Sequence, residues 1–126
     1  MKLLIAALAA AAMFGTAASA AKPAQDASLS GDDCILMHLV RNHTVVDQDT
    51  MLMNVYGKGV YRVDTAQACF RSAISSDPIS FNTRGREKIC KASQLGLQAR
   101  SGYCGAQSLV KLTPAEVEAL PKKLKP

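Results

Sequence analysis

Four cysteines, Cys34, Cys69, Cys90 and Cys104, are the most chemically versatile residues of this 126-residue chain. Thiols so placed could close disulfides, hold zinc or shuttle electrons. Their spacings of 35, 21 and 14 positions never give the close C-x₂₋₄-C pairs of structural zinc sites. The absence of C-x-x-C also removes the thioredoxin-like redox motif. Disulfides are the chemistry that remains. Four cysteines permit three pairings, and sequence alone does not choose among them. The expectation is Cys34–Cys104, tying the opening strand to the last, with Cys69–Cys90 closing the middle loop.

His38 and His43 are the only imidazoles. On one continuous strand their odd separation puts them on opposite faces, where they share neither a metal nor a substrate. His38 is expected to pack at the sheet and His43 to be solvated. Asp47 and Asp49 have matching parity and Arg41 lies nearby, which makes these three a candidate polar or ligand site. Turn chemistry accounts for the two aspartates equally well, and no third ligand or nucleophile is placed beside them. Ser101-Gly102 lacks the G-x-S-x-G frame of a nucleophile elbow. No catalytic residue, metal set or cofactor is therefore assigned, and the chain is not expected to be an enzyme.

Arg84, Arg86, Lys88 and Lys91 bunch around a single Glu87 and form a candidate anion-binding patch. Such a patch could attract anionic lipid, lipopolysaccharide, glycan or nucleic acid; an ordinary solubilising surface is the simpler account. The aromatic platforms of single-strand binders are not interleaved with these charges, so nucleic acid is not expected as a partner. The formal charge of +5 falls by one if Lys2 is removed with the leader, leaving +4.

The elements that must carry these residues begin after a leader. Residues 1–20 have a positive n-region at Lys2, an apolar run from Leu3 to Phe14 and a small-residue end at Ala18-Ser19-Ala20. This is the pattern of a secretory signal peptide, with cleavage expected before Ala21. The run is short of the roughly 20 residues of a membrane span, and no later segment approaches that length. A periplasmic or secreted protein is expected, where disulfides persist. Residues 21–32 are rich in Ala, Ser, Asp, Gln and Pro and read as a flexible N-terminal extension. Residues 33–120 form one β-rich domain, and residues 121–126 a basic tail.

Within the domain, Ile35 to Val46 is rich enough in β-branched residues to favour a strand. Thr50 to Tyr56 is a second strand with Met51, Met53 and Val55 on one face. The Gly57-Lys58-Gly59 link into Val60–Val63 is a hairpin signal. There Tyr61 and Val63 alternate with Arg62 and Asp64, as in a sheet with one wet face. Further strands are expected near Ile79–Phe81, Gln94–Ala99 and either Cys104 or Leu109–Leu112. Thr113-Pro114-Ala115-Glu116 has the residues of a capping box with proline at the first helical position. The fold expected is all-β, a small antiparallel sheet or open barrel with a short C-terminal helix, braced by disulfides. With no Trp and few aromatics, two bridges of about 2–4 kcal/mol each would be a large share of its stability.

The order of these features resembles a known family. Cys34 opens a strand that runs to Arg41 and Val45-Val46-Asp47, followed by Asp49-Thr50, Gly59-Val60-Tyr61 and Cys69. Phe81, Ile89-Cys90, Tyr103-Cys104-Gly105 and Leu112-Thr113-x-x-Glu116 complete it. Over about Cys34 to Leu120 this is similar to the DUF6491 family of small secreted proteobacterial proteins of unknown function. Many members carry Pro-Gly-Leu after the second cysteine and an acidic Gly-Asp-like pair after the third. Here those places read Phe70-Arg71-Ser72 and Lys91-Ala92-Ser93. The resemblance implies location and a cysteine framework, not a reaction. The function expected is a noncatalytic binding or interaction domain for an envelope component or protein partner. An inhibitor of an envelope or host hydrolase, using the loops Ser75–Pro78 and Arg84–Lys88, is an alternative; a metal- or anion-binding enzyme is another.

Overall fold

The computed structural model describes residues 28–126. The expected leader, its cleavage point and most of the expected extension lie outside these residues. The strands are β1 (Ile35–Leu36), β2 (Val40–Val45), β3 (Thr50–Val55), β4 (Gly59–Thr65), β5 (Ser80–Asn82), β6 (Lys88–Ile89), β7 (Gly96–Ala99) and β8 (Gly102–Lys111). One α-helix, α1 (Pro114–Ala119), follows. Six strands form a curled antiparallel sheet in the order β2-β3-β4-β8-β7-β5, and β1 pairs with β6 in a separate two-stranded ribbon. The fold is the small all-β, disulfide-braced sheet expected from the strand pattern.

Side-chain alternation decides the inner face. Met51, Met53 and Val55 pair with Val63, Tyr61 and Gly59, and the apolar members of these pairs are buried in the core. Leu97, Leu109, Ile35, Ile89 and Phe70 complete that interior. The Gly57-Lys58-Gly59 link requires left-handed backbone, with φ of +72° at Gly57 and +114° at Gly59; glycine adopts these angles without strain.

The gap between the sheet's two edges is bridged by the segment that leads into β5. Val45 N–H donates to the Ser75 carbonyl at 3.2 Å, and His43 Nε2–H donates to the Asp77 carbonyl at 2.7 Å. The carboxylate of buried Asp77 accepts from Arg100 Nη2 at 3.0 Å and from Ile74 N–H at 3.1 Å. The His43 N–H is itself taken by the Asn42 side chain at 2.9 Å. These bonds occupy groups on an edge strand that would otherwise invite pairing with another chain.

Several expectations are corrected. The disulfides are Cys34–Cys90 and Cys69–Cys104, not Cys34–Cys104 and Cys69–Cys90. The reason is topological. Ile35 pairs with Ile89 in the β1–β6 ribbon, so the next rung sets Cys34 opposite Cys90, with 4.5 Å between Cα atoms. The chain leaving β4 turns back and brings Cys69 to Cys104 on β8, Cα to Cα 6.0 Å.

The first strand is also not continuous. A 3-10 turn at Met37–Leu39 separates β1 from β2, which cancels the parity argument for the histidines. His38 stands exposed on that turn, and His43 is half-buried with its ring engaged.

Both ends of the described chain are fastened. Leu29 N–H donates to the Cys90 carbonyl at 2.7 Å, and the Leu29 side chain packs against the core. Helix α1 starts as expected: Thr113 Oγ1 accepts from Glu116 N–H at 3.2 Å, and Glu116 Oε2 accepts from Thr113 N–H at 2.6 Å. Beyond Pro121 the lysines are exposed, while Leu124 is half-buried and lines a hollow with Leu120, Leu112 and Leu52.

Candidate functional site

The residues singled out from the sequence do not form one site. Asp47 and Asp49 make a turn, with Asp47 Oδ1 accepting from Asp49 N–H at 2.9 Å. The Asp49 carbonyl accepts from Thr65 N–H at 2.8 Å. Arg41 lies at the other end of β2, its guanidinium 5.4 Å from the centroid of the Tyr56 ring. Among the described residues no group of three or more His, Cys, Asp and Glu could hold a metal ion.

Arg84, Arg86, Lys88 and Lys91 are exposed on the link from β5 to β6 and just after it. Asn82 Oδ1 accepts from Arg84 N–H at 3.1 Å, and the Thr83 carbonyl accepts from Arg86 N–H at 3.1 Å, which holds this turn. Of the two loops considered for an inhibitor, Ser75–Pro78 is engaged in closing the sheet through Ser75 and Asp77.

Two charged clusters escaped the sequence reading. On the outer sheet face, Thr50, Asp64 and Ser108 are direct cross-strand partners on β3, β4 and β8. Asp64 is only 1% exposed, although alternation had placed it on a wet face. Its carboxylate accepts from Ser108 Oγ at 2.6 Å, Thr50 Oγ1 at 2.9 Å and Arg62 Nε at 3.0 Å. Burial pushes its pKa up, but the hydrogen bonds from Ser108, Arg62 and Thr50 outweigh it and hold the carboxyl below its ordinary value. The second cluster clamps the N-terminal turn. Lys111 Nζ meets Asp33 Oδ1 at 2.7 Å, Tyr61 hydroxyl donates to the Asp33 carbonyl at 2.7 Å, and Lys58 Nζ reaches the Asp32 carbonyl. The Lys111 hydrogen bond lowers the Asp33 pKa, and that of Lys111 rises in return. Both clusters bind the fold together; Thr50 and Arg62 of the first also line a hollow of about 250 Å³ beside α1.

The two hollows of greatest volume among those described lie where the sheet splits. β4 runs beside β8 only as far as the Thr65–Ala106 pair, after which β8 is paired with β7 alone, through residues 102–105. The departing chain leaves a seam along β8, and Cys69–Cys104 crosses it. Ser101 Oγ also donates to the Cys69 carbonyl there. Two adjoining hollows result. One, of about 470 Å³, is lined by Ala66, Gln67, Ser93, Gly105, Ala106 and Gln107 together with Tyr103 and Cys104. The other, of about 390 Å³, shares Gln67, Tyr103 and Cys104 and adds Arg71 and Ser101.

Tyr103 stands at the junction. It is 57% exposed, and its ring lies across Gly96 of β7. A Cβ at Gly96 would come within 2.4 Å of the Tyr103 hydroxyl and 2.9 Å of two ring carbons. Glycine thus leaves room for the hydroxyl end of the ring against the strand, while more than half of the residue stays exposed. The sequence signal was an aromatic residue among glycines, Gly96, Gly102 and Gly105, but strand register alone reveals which of them faces the ring.

Fold and site together define a disulfide-braced, curled antiparallel sheet with a groove at a split seam whose one charged lining residue is Arg71. Two disulfides point to an extracellular or periplasmic protein. No family model, curated protein or solved structure matches the chain.

Proposed function

We propose that the chain is a noncatalytic binding module of the cell envelope or its exterior, exported after cleavage before Ala21, that receives its partner in the groove beside Tyr103. The exposed Tyr103, its hydroxyl end seated against Gly96 and its side chain shared by both hollows, carries this proposal. A rigid ring with a polar handle gives large contact area for little ordering cost, which is why such residues anchor recognition sites. Each hollow falls in the roughly 300–1,000 Å³ range of small-ligand sites. A noncatalytic role is supported by the engaged state of the reactive groups: Ser108 donates to Asp64, and His43 donates to the Asp77 carbonyl. The cysteine spacing that resembles the DUF6491 family supports the same compartment and framework.

The test is an ¹⁵N NMR titration of the oxidised protein starting at Ala21. The probes are N-acetylglucosamine oligomers, uncharged hexapeptides and phosphatidylglycerol vesicles. Shifts clustered on residues 66–71, 93 and 102–107, and lost in Tyr103→Ala, are expected from at least one probe. Shifts centred on Arg84–Lys91 instead, or none with any probe, would overturn the proposal.

A further inference from the structure

Resting on that reading of the groove, we infer that its ligand is a neutral sugar chain, one ring of which stacks on the exposed ring of Tyr103. The polar side chains beside the ring decide the ligand class. Gln67, Gln107, Ser93 and Ser101 are uncharged, Ser101 keeping only its acceptor side for a ligand because its proton goes to the Cys69 carbonyl, and Gln98 is the cross-strand partner of Tyr103 itself. Amides and hydroxyls both donate and accept, as sugar hydroxyls do, so such pairs form in either direction. The apolar face of a pyranose ring supplies C–H groups to the negative face of the aromatic ring. Ala66, Gly105 and Ala106 keep the floor low enough for a ring to lie on it.

Other ligand classes fit worse. An apolar ligand would find mostly alanine and glycine walls and would bury the glutamine amides without partners, which costs free energy. A polyanion would meet one cation, Arg71, because none of Arg84, Arg86, Lys88 and Lys91 lines either hollow. An extended peptide could use the backbone of β8 at residues 102–105, where β4 no longer pairs with it. The Cys69–Cys104 bridge and the Ser101–Cys69 hydrogen bond cross the seam at that point, however, and block a strand from lying along it. A sugar chain needs no continuous ladder. It can place one ring on Tyr103 and reach the hollows on either side.

Saturation-transfer and ¹⁵N NMR with N-acetylglucosamine trisaccharide and tetrasaccharide, on the oxidised mature protein, test this. An uncharged hexapeptide serves as competitor probe. Binding in the millimolar range or tighter is expected, with transfer to ring protons of the sugar. Tyr103→Ala should weaken it roughly tenfold, while Tyr103→Phe and Tyr103→Trp keep it. Gly96→Ala, which displaces the ring without removing it, should weaken it as well. If the peptide moves the groove resonances and the sugars do not, the sugar inference fails while the binding-module proposal stands. If neither these two nor the phosphatidylglycerol vesicles move them, both fail. Sugar binding that survives Tyr103→Ala unchanged would overturn the stacking role.

Discussion

Replacing Asp64 by Asn keeps the side chain's size and removes its charge, so it isolates what the buried carboxylate contributes. The two oxygens divide the donors: Oδ1 takes Thr50 and Arg62, and Oδ2 takes Ser108. In the amide one oxygen still accepts from Thr50 and Arg62, and the Ser108 hydroxyl can rotate to accept from the new NH₂. No contact need be lost, but each becomes a neutral one. Hydrogen bonds to charged groups are worth roughly 1.5–3 kcal/mol against 0.5–1.5 for neutral ones, a difference of about 1 kcal/mol for each hydroxyl. The Arg62 ion pair adds less than that, because its side chain is 36% exposed. The lower cost of burying an amide offsets part of this sum. Asp64→Asn should therefore destabilise by about 2 kcal/mol at pH 7, lowering Tm by roughly 10 °C. Asp64→Ala strands Arg62 and two hydroxyls and should cost about 3–5 kcal/mol. Urea denaturation from pH 7 to pH 2.5 measures both. The carboxyl is held below its ordinary value of 3.8, so its contribution is present at neutral pH. It fades as pH falls below that value and through the lower folded one. The gap between wild type and Asp64→Asn should narrow over that acid window. A gap below about 0.5 kcal/mol at pH 7, or one that stays constant to pH 2.5, would refute the account of Asp64.

Peptide mapping of the oxidised protein should recover Cys34 joined to Cys90 and Cys69 joined to Cys104. With sequence separations of 56 and 35, removing either bridge as a paired Cys→Ala variant should cost about 4 kcal/mol by the loop-entropy relation, read by urea midpoint. Gly96→Ala should leave stability within about 1 kcal/mol, because the end of the Tyr103 side chain can swing aside, while the Tyr103 ring resonances move; a collapse in stability would mean the ring cannot yield. The Asp33–Lys111 pair should give support that weakens at both pH extremes. The lowered Asp33 loses it as pH falls below 3.8, and the raised Lys111 loses it as pH climbs past 10.5. Lys111→Met should flatten the alkaline limb of the stability profile, and an unchanged limb would count against the pairing.

Local signals carried the expectations that held. The Gly57–Gly59 hairpin, the Met51-Met53-Val55 face and the Thr113–Glu116 capping box each depend on residues within a few positions. What failed depended on partners distant in the chain. Nothing near Cys34 indicates that β1 will leave the main sheet to pair with β6, and that choice sets the disulfides and reverses the two histidines. Asp64 reads as a wet-face residue until Thr50 and Ser108 are known to flank it on both sides. Tyr103 reads as an ordinary aromatic until β7 brings Gly96 beneath it. The aspartates at 47 and 49 drew notice as paired carboxylates, and their backbone contacts fit the turn chemistry that accounts for them equally well. Groove and network alike are products of register, which a single sequence specifies only weakly.

The two bridges interlace, since the first cysteine joins the third and the second joins the fourth. Any one backbone cut between Cys34 and Cys104 therefore falls inside at least one covalent loop, and the two pieces remain tethered. A side-by-side arrangement, Cys34 with Cys69 and Cys90 with Cys104, would leave the whole stretch from 70 to 89 as a place where one cut parts the molecule. A protease that nicks the exposed turn at Arg84–Arg86 would thus produce a chain that migrates intact on a non-reducing gel and separates only with reductant. Outside the cytosol, this protein can be clipped without being divided.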